Sequence, residues 1–400
     1  MGLNDTPSAE RLHIGFFGMR NAGKSSLVNA VTGQSLSVVS DTKGTTTDPV
    51  KKAMELLPLG AVVILDTPGY DDEGNLGLLR VQKAREALAV TDVAVLVVDA
   101  TVGLQDMDVQ FKKELEERKI PYLIAYNKSD LSRPEILNSA NELCVSAATK
   151  EGVEELKNRL GDFAKSTKAE KLVVRDLLDA GDLVVMVTPI DEAAPKGRLI
   201  LPQQMVLRDI LDAHATAVVC QDTELAKTLA GLAKTPRMVI TDSQVFGKVA
   251  KVTPREIPLT SFSILMARYK GDLTALVQGF SALKKLRDGD RVLIAEGCTH
   301  HRQCGDIGSV KIPRWVEEFS GAKPVYTFTS GGEFPQDLSE YKLIIHCGGC
   351  MLTEKEMAHR MEIAAKAGVP MVNYGVAIAH IHGILKKSLA PFPDALALLS

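Results

Sequence analysis

The sequence predicts an α/β chain built from successive strand and helix units, and three observations carry that prediction. An apolar strand near the N-terminus runs into Gly18-x4-Gly23-Lys24-Ser25 and then into an amphipathic helix, the order of elements a phosphate-binding loop requires. Strand-like and helix-like segments alternate over most of the remaining chain, which implies a small α/β unit in the middle and a parallel sheet in the last third. Four of the six cysteines, Cys298, Cys304, Cys347 and Cys350, fall in the last third, marking a specialised C-terminal region. With 400 residues the chain exceeds what one core usually serves, and three domains are expected, at 1–168, 175–261 and 262–400.

In the first domain, "HIGFFGMRNAGKSSLVNAV" supplies the strand, loop and helix. Its glycines let backbone N–H groups turn toward phosphate oxygens, with the positive end of the helix behind them. Lys24 is expected to bridge the β- and γ-phosphates and Ser25 to ligate Mg2+, with Gly18, Asn21, Ala22, Gly23 and Ser26 completing the nucleotide-binding loop. The polar stretch "KGTTTD" follows. In it Thr46, or its neighbour Thr45, is expected to provide the hydroxyl that reaches Mg2+ only when a γ-phosphate is present. The strand "AVVILDTPG" then ends in Asp66-Thr67-Pro68-Gly69. Asp66 at the strand tip would hold the Mg2+ shell, and the Gly69 amide would lie beside the γ-phosphate, so Lys24, Thr46, Asp66 and Gly69 form the expected catalytic set.

Base recognition is assigned to two later strand ends. "PYLIAYNKSD" delivers Asn127, Lys128 and Asp130, and "CVSAA" delivers Ser146 and Ala147. A carboxylate at Asp130 can accept both the N1–H and the exocyclic amine of guanine, a pair adenine lacks, so GTP is the expected nucleotide. Tyr70 follows Gly69 where Ras-like switches carry a water-positioning glutamine. The acidic run Asp71-Asp72-Glu73 reads as solvated loop charge. This sector resembles the TrmE-Era-like GTPases, whose potassium-dependent members ligate K+ through an asparagine at the position of Asn21. The resemblance therefore implies K+ beside the phosphates, while the plainer reading of Asn21 is a turn residue.

After Gly161 the polar stretch "DFAKSTKAEKLVVRD" reads as a linker. Beyond it "DLVVMVTPI", "PQQMVLRDILDAHATAVVC", "ELAKTLAGLAK" and "RMVITDSQVFGKV" alternate strands with helices and carry no catalytic constellation. Such a domain is expected to be an interface, and a homodimer through the 180–260 region is the reading. Cys144 and Cys220 stand alone at the ends of apolar runs and read as buried packing residues.

The last domain opens with "SFSILMARYKGDLTALVQGFSALKKL", read as one long helix. The strand "RVLIAEG" then runs into Cys298-Thr299-His300-His301, and the strand "KLIIHCGGC" into Cys347-x-x-Cys350. Ligands gather at strand C-termini in parallel sheets, so the two loops are expected to converge on one metal site. Three thiolates with histidines nearby admit a structural zinc, an iron-sulfur cluster with a loosely held fourth corner, or a redox dithiol; the absence of a helix starting at Cys347 disfavours the last.

Composition narrows the function. A net charge of -3 and a pI near 6.3 give no basic footprint for nucleic acid, and runs such as "VAVLVVDA" are too short to span a membrane. "MGLNDTPSAERLH" has no apolar signal core, so a cytoplasmic location is expected, where clustered cysteines read as metal ligands before disulfides.

Cys298-x-His300, then 45 residues, then His346-Cys347-x-x-Cys350, behind a GTPase domain carrying Asn21, resembles the HydF family of FeFe-hydrogenase maturation GTPases over essentially the whole chain. The resemblance implies a P-loop GTPase domain, a small α/β dimerisation domain and a C-terminal α/β domain that binds a 4Fe-4S cluster through Cys298, Cys347 and Cys350. His300 and His346 become possible further cluster ligands, with His301, Cys304 and Asp306 as alternatives. It also implies a scaffold and carrier that receives a di-iron precursor assembled with the radical SAM maturases HydE and HydG and delivers it to apo FeFe-hydrogenase. The rival readings are a GTP-switched tRNA-modification or ribosome-assembly factor, and a radical enzyme. The chain lacks the Cys-x3-Cys-x2-Cys signature the radical enzyme would need.

Overall fold

The computed structural model describes residues 10–34, 50–69, 83–134, 140–167, 171–190, 199–298 and 306–399. Two compact units emerge, Met1–Glu170 and Lys171–Ser400.

The first unit runs β1 (Leu12–Phe17), α1 (Lys24–Thr32), β2 (Val50–Leu56), β3 (Gly60–Asp66), α2 (83–89), β4 (Val93–Asp99), α3 (Asp106–Glu117), β5 (Tyr122–Asn127), β6 (Glu142–Cys144) and α4 (Val153–Thr167). Its sheet has the order β2-β3-β1-β4-β5-β6; only the β2–β3 pair is antiparallel. Successive side chains of a strand leave on opposite faces. Phe16 accordingly packs with Leu27, Val28, Leu156 and Leu160 on one side of the sheet, and Phe17 with Leu88, Phe111 and Leu115 on the other. Burial on both faces explains why β1 and β4 read as continuous apolar runs. It also aligns the C-terminal ends of β1, β3, β4 and β5 along one edge, where the polar loops begin.

The second unit holds two four-stranded, fully parallel sheets. One is built from β7 (Leu183–Val187), β8 (Thr216–Cys220), β9 (Met238–Thr241) and β10 (Leu259–Ser261) in the order β10-β9-β7-β8. α5 (Leu201–Asp212), α6 (Leu225–Gly231) and α7 (Phe246–Val252) make its crossovers. α8 (Phe262–Lys270) and α9 (Leu273–Gln278) lead into the second sheet, β11 (Arg291–Ala295), β12 (Val325–Thr329), β13 (Tyr341–His346) and β14 (Met371–Asn373), ordered β12-β11-β13-β14. α10 (Ile312–Ser320) and α11 (Glu354–Lys366) connect these strands, and α12 (Tyr374–Ile381) follows β14. A single hydrophobic cluster reaches from Val173 through Ile240 and Ile294 to Ala395, so position 261/262 separates two sheets that share one core.

Three readings are corrected by the structure. The polar stretch after Gly161 is helical as far as Thr167, because α4 keeps Leu156 and Leu160 buried against the sheet and its charge lies on the other face. The long helix of 261–286 is broken at Gly271, whose extended backbone ends α8; Asp272 then caps α9 by accepting the N–H groups of Thr274 and Ala275 at 2.8 and 3.1 Å. Cys144 and Cys220 end β6 and β8 as expected but are only half-buried. Among the described residues no helix is long and apolar enough to cross a membrane.

Candidate functional site

The phosphate loop is the turn from β1 into α1. Asn21 sits at φ 64° and Gly23 at φ 87°, left-handed conformations that coil the loop back on itself. A side chain at Gly23 would put Cβ 2.2 Å from Nδ2 of Asn127, so glycine is required there twice over. The Lys24 ammonium is buried at the base of the loop and donates to the carbonyls of Gly18 and Met19 at 2.9 and 2.8 Å. Ala22 is buried beneath the loop, while Ser25 and Ser26 are half-buried at the start of α1.

β3 carries Asp66 to the same edge, and Ser25 Oγ donates to its Oδ2 at 2.7 Å. The second carboxylate oxygen, Oδ1, is buried without a hydrogen-bond partner. An orphaned buried carboxylate oxygen is costly unless something charged completes it. A hydroxyl and a carboxylate meeting in this way are the hard oxygen donors Mg2+ takes with its water shell, so the pair fits that ion. Thr67 closes the strand end onto β1 by donating from both N and Oγ1 to Phe16 O, at 3.3 and 2.7 Å. Gly69 is the last described residue before position 83. Thr46, Thr45, Tyr70 and the 71–73 acidic run lie outside the described residues.

The residues expected to read the base lie close together at the ends of β5 and β6. Asn127 is buried at the tip of β5, donates to Ala22 O at 3.0 Å and accepts from Ala147 N at 3.0 Å, tying the phosphate loop to the 146–147 loop. Ser146 donates to Asp130 Oδ1 at 2.6 Å. Lys128, at φ 65°, pairs with Asp99 Oδ2 at 2.5 Å. Asp99 was missed by sequence reasoning, although its place at the end of the apolar β4 run was a usable signal. Burial acts to raise its carboxyl, but hydrogen bonds from Lys128 and Thr101 outweigh that and hold it below the usual range.

The cysteine loops meet at the C-terminal edge of the last sheet. β11 and β13 are neighbours, with Ala295 opposite His346, so Gly297-Cys298 and Cys347 leave the sheet side by side. The amide of Gly297 donates to Cys347 Sγ at 3.0 Å and that of Gly349 at 3.4 Å. Gly349 adopts φ 66°, which turns the chain around the sulfur. Two N–H donors on one sulfur suit a thiolate that must share charge with a metal or a cluster. Burial raises the Cys347 thiol, and it pushes Cys350 up to about 12, with Cys347 adding and Lys270 opposing. Loading a metal here therefore displaces protons. Among the described residues, no three cysteine, histidine or acidic groups are gathered closely enough to hold a metal ion. His300, His301 and Cys304 lie outside the described residues, whereas Asp306 caps the turn that follows by accepting from Ser309 N and Oγ at 2.8 and 2.7 Å.

His346 is fully buried and both its ring nitrogens are engaged. Nδ1 lies 2.8 Å from Cys347 O, and Nε2 lies 3.2 Å from Arg360 Nη1. Burial first, and the Arg360 charge second, depress the imidazole to about 3. Arg360 is itself buried, an interaction the sequence did not announce, because a single arginine on an amphipathic helix ordinarily faces water. Lys270, equally buried at the end of α8, was missed for the same reason.

Comparison with known proteins finds three family models along the chain. A family model described as "Hydrogen maturase F dimerization domain" matches residues 173–271, and one described as "Hydrogen maturase F tetramerization domain" matches 274–391. A third, "50S ribosome-binding GTPase", matches 13–128. The chain is 38% identical over 144 residues to the tRNA modification GTPase MnmE of Nitratidesulfovibrio vulgaris, covering 35% of this chain and 31% of that protein. It is 33% identical over 127 residues to GTPase Der of Kosmotoga olearia, covering 30% and 28%. The chain thus spans about a third of the length of the curated relatives it matches. Among solved structures, Aquifex aeolicus Era aligns at 18% identity with a TM-score of 0.36, over 52% of this chain and 94% of Era. The tetramerization match widens the expectation of a dimer: both sheets of the second unit fall in oligomerisation modules.

Proposed function

The chain belongs to the hydrogen maturase F family, and on that premise we propose that it is a GTP-hydrolysing scaffold that seats a 4Fe-4S cluster and carries the di-iron precursor of an FeFe-hydrogenase active site. The observation that carries the reading is the Gly297 N–H donated to Cys347 Sγ across β11 and β13, because it sets the Cys298 loop against the Cys347-x-x-Cys350 loop. Cys298, Cys347 and Cys350 would hold the cluster, leaving one iron for an exchangeable ligand. That cluster, when bound, offers the open corner to which an anionic guest can bridge.

In the nucleotide unit, Lys24 neutralises the β- and γ-phosphates, and the amides of 22–26 cradle them. Ser25, Asp66 and Thr46 would hold Mg2+, which would supply positive charge against the γ-phosphate. Asn21 is exposed at the turn of the loop; its amide oxygen is a neutral donor of the kind K+ takes, so hydrolysis would be slow and stimulated by K+. Gly69 contributes its amide at the γ-phosphate. Asp130 reads guanine, Lys128 lies along the base, and Ser146-Ala147 bind its carbonyl. The MnmE likeness covers 35% of this chain, so tRNA modification stays with that protein.

Assembly as a homodimer runs through the first sheet of the second unit. β8 is an edge strand, and its residues Thr216 and Val219 are exposed while residues 184–187 of β7 and all of β9 are buried. Pairing two such edges relieves the unpaired backbone groups an edge strand presents. The partners implied are HydE-like and HydG-like radical SAM maturases and apo FeFe-hydrogenase in the cytoplasm. Anaerobic purification followed by iron, sulfide and zinc analysis with an electronic spectrum tests the reading. Four irons and four sulfides per chain, lost in Cys298→Ser, are expected; stoichiometric zinc without iron overturns it.

A further inference from the structure

The buried pair Arg360 and His346 has no part in the reading above except as neighbours of Cys347. The hydrogen-bond chemistry fixes the protonation of the imidazole. A guanidinium has donors only, so Nε2, facing Arg360 Nη1 at 3.2 Å, must accept. A carbonyl accepts only, so Nδ1, 2.8 Å from Cys347 O, must carry the proton. His346 is therefore neutral with its one lone pair taken, and it has none left for iron.

Arg360 is anchored on three sides besides. Its Nη2 donates to Gly331 O at 2.5 Å and to Glu356 Oε1 at 2.6 Å, and its Cζ lies 5.1 Å over the Phe334 ring. Glu356 sits one turn earlier on α11, so the carboxylate, the guanidinium and the imidazole form a line from helix to strand end. At the far end of the line, the Cys347 peptide is held at both sides: its N–H donates to Ala295 O at 3.0 Å and its carbonyl receives His346. With the peptide so fixed, Sγ stays in reach of the Gly297 and Gly349 amides.

We infer that Glu356, Arg360 and His346 form a buried positioning relay that fixes the Cys347 peptide and brings a permanent positive charge to act on the Cys347 sulfur, so that His346 orients the cluster loop rather than ligating it. This rests on the cluster reading for its consequence, but the relay itself exists in the metal-free chain and can be tested there. A glutamine at 346 can imitate it, donating from its amide to Cys347 O and accepting from Arg360; an alanine cannot.

Two measurements on the full-length protein decide it. In the metal-free, reduced chain with 15N-labelled histidine, one Nδ1–H signal that vanishes in His346→Gln should exchange slowly with water, and it should lose at least tenfold of that protection in Arg360→Met. An Nε2–H tautomer, or a ring proton unprotected in the parent, overturns the relay whether or not iron binds. In the anaerobically reconstituted protein, His346→Gln should keep the parent's iron content and its 14N couplings in pulsed EPR of the reduced cluster. His346→Ala should lose iron several-fold faster to a chelator. Arg360→Met should shift the reduction potential downward, which lost packing alone would not do, and Arg360→Lys should hold it nearer the parent. Loss of a coordinated 14N coupling in His346→Gln, or an unmoved potential in Arg360→Met, overturns the inference. Zinc in place of iron in the parent overturns the cluster reading alone, and the labelled-histidine result then stands by itself.

Discussion

Replacing Asp130 by asparagine should convert the nucleotide preference from GTP toward xanthosine triphosphate. Ser146 Oγ donates to Asp130 Oδ1 at 2.6 Å while accepting Thr149 N at 3.1 Å, so its proton is committed to residue 130. Only an oxygen is tolerated at that position, and in the variant the amide nitrogen must take the other one, where the carboxylate accepts from guanine. One charge-assisted hydrogen bond worth about 1.5–3 kcal/mol is then lost, and two donors face each other at a further cost of about 1–3 kcal/mol. Asp130 is exposed, which favours the lower end of both ranges, and a total of about 3 kcal/mol corresponds to roughly 100-fold in kcat/KM for GTP. Xanthine presents a carbonyl where guanine has its amine, so the new donor finds an acceptor and most of that loss should be recovered. Steady-state phosphate release with GTP, ATP and xanthosine triphosphate measures all of it. A GTP-to-xanthosine preference within threefold of the parent's would refute the assignment of Asp130 and the orientation given to it by Ser146.

Hydrolysis should rise severalfold when K+ replaces Na+ at equal ionic strength, and Asn21→Ala should remove that response; equal rates in the two salts would sink the K+ assignment. Cys347→Ser or Cys350→Ser should abolish the cluster spectrum and hydrogenase activation while GTP hydrolysis changes less than twofold, measured on the same preparations. His346 is buried at a pKa of about 3 against an ordinary 6.5, so its neutral form stabilises the fold fully above pH 6.5, and that share is lost as pH falls from 6.5 toward 3 because the unfolded chain takes the proton. Between pH 7 and 5 the loss is about 2 kcal/mol. Guanidinium unfolding followed by the single tryptophan, Trp315, should show it, and His346→Gln should flatten the dependence by that amount; an unchanged slope argues against it. Val219→Lys on the exposed β8 edge should weaken the dimer at least tenfold by sedimentation, and an unaltered dimer would move the interface elsewhere.

The sequence by itself determined the nucleotide machinery, because there the chemistry is local. A loop between β1 and α1 that must present amides to phosphate needs its glycines and Lys24 at fixed spacing, and Asp66, Asn127 and Ser146 announce themselves by standing where apolar strands stop. The alternation of strands and helices likewise pointed to an α/β unit in the middle of the chain and a parallel sheet in its last third, and the thiols at 298, 347 and 350 stood at strand ends. Tertiary structure decided what depends on residues far apart in the chain. Whether β11 and β13 are neighbours is a matter of strand order, and only that order brings Gly297 N to Cys347 Sγ. The break at Gly271 was legible in the glycine and the capping Asp272, but only the fold shows that a side chain at 271 would meet Met357 and Met361 of α11. The pairing of Arg360 with His346 is equally invisible to spacing, since a lone arginine on a helix is ordinarily a solvated charge. Burial under Phe334 and beside Gly331 makes this one a fixed interior cation, and it is that burial that sets Arg360 Nη1 against Nε2 of His346.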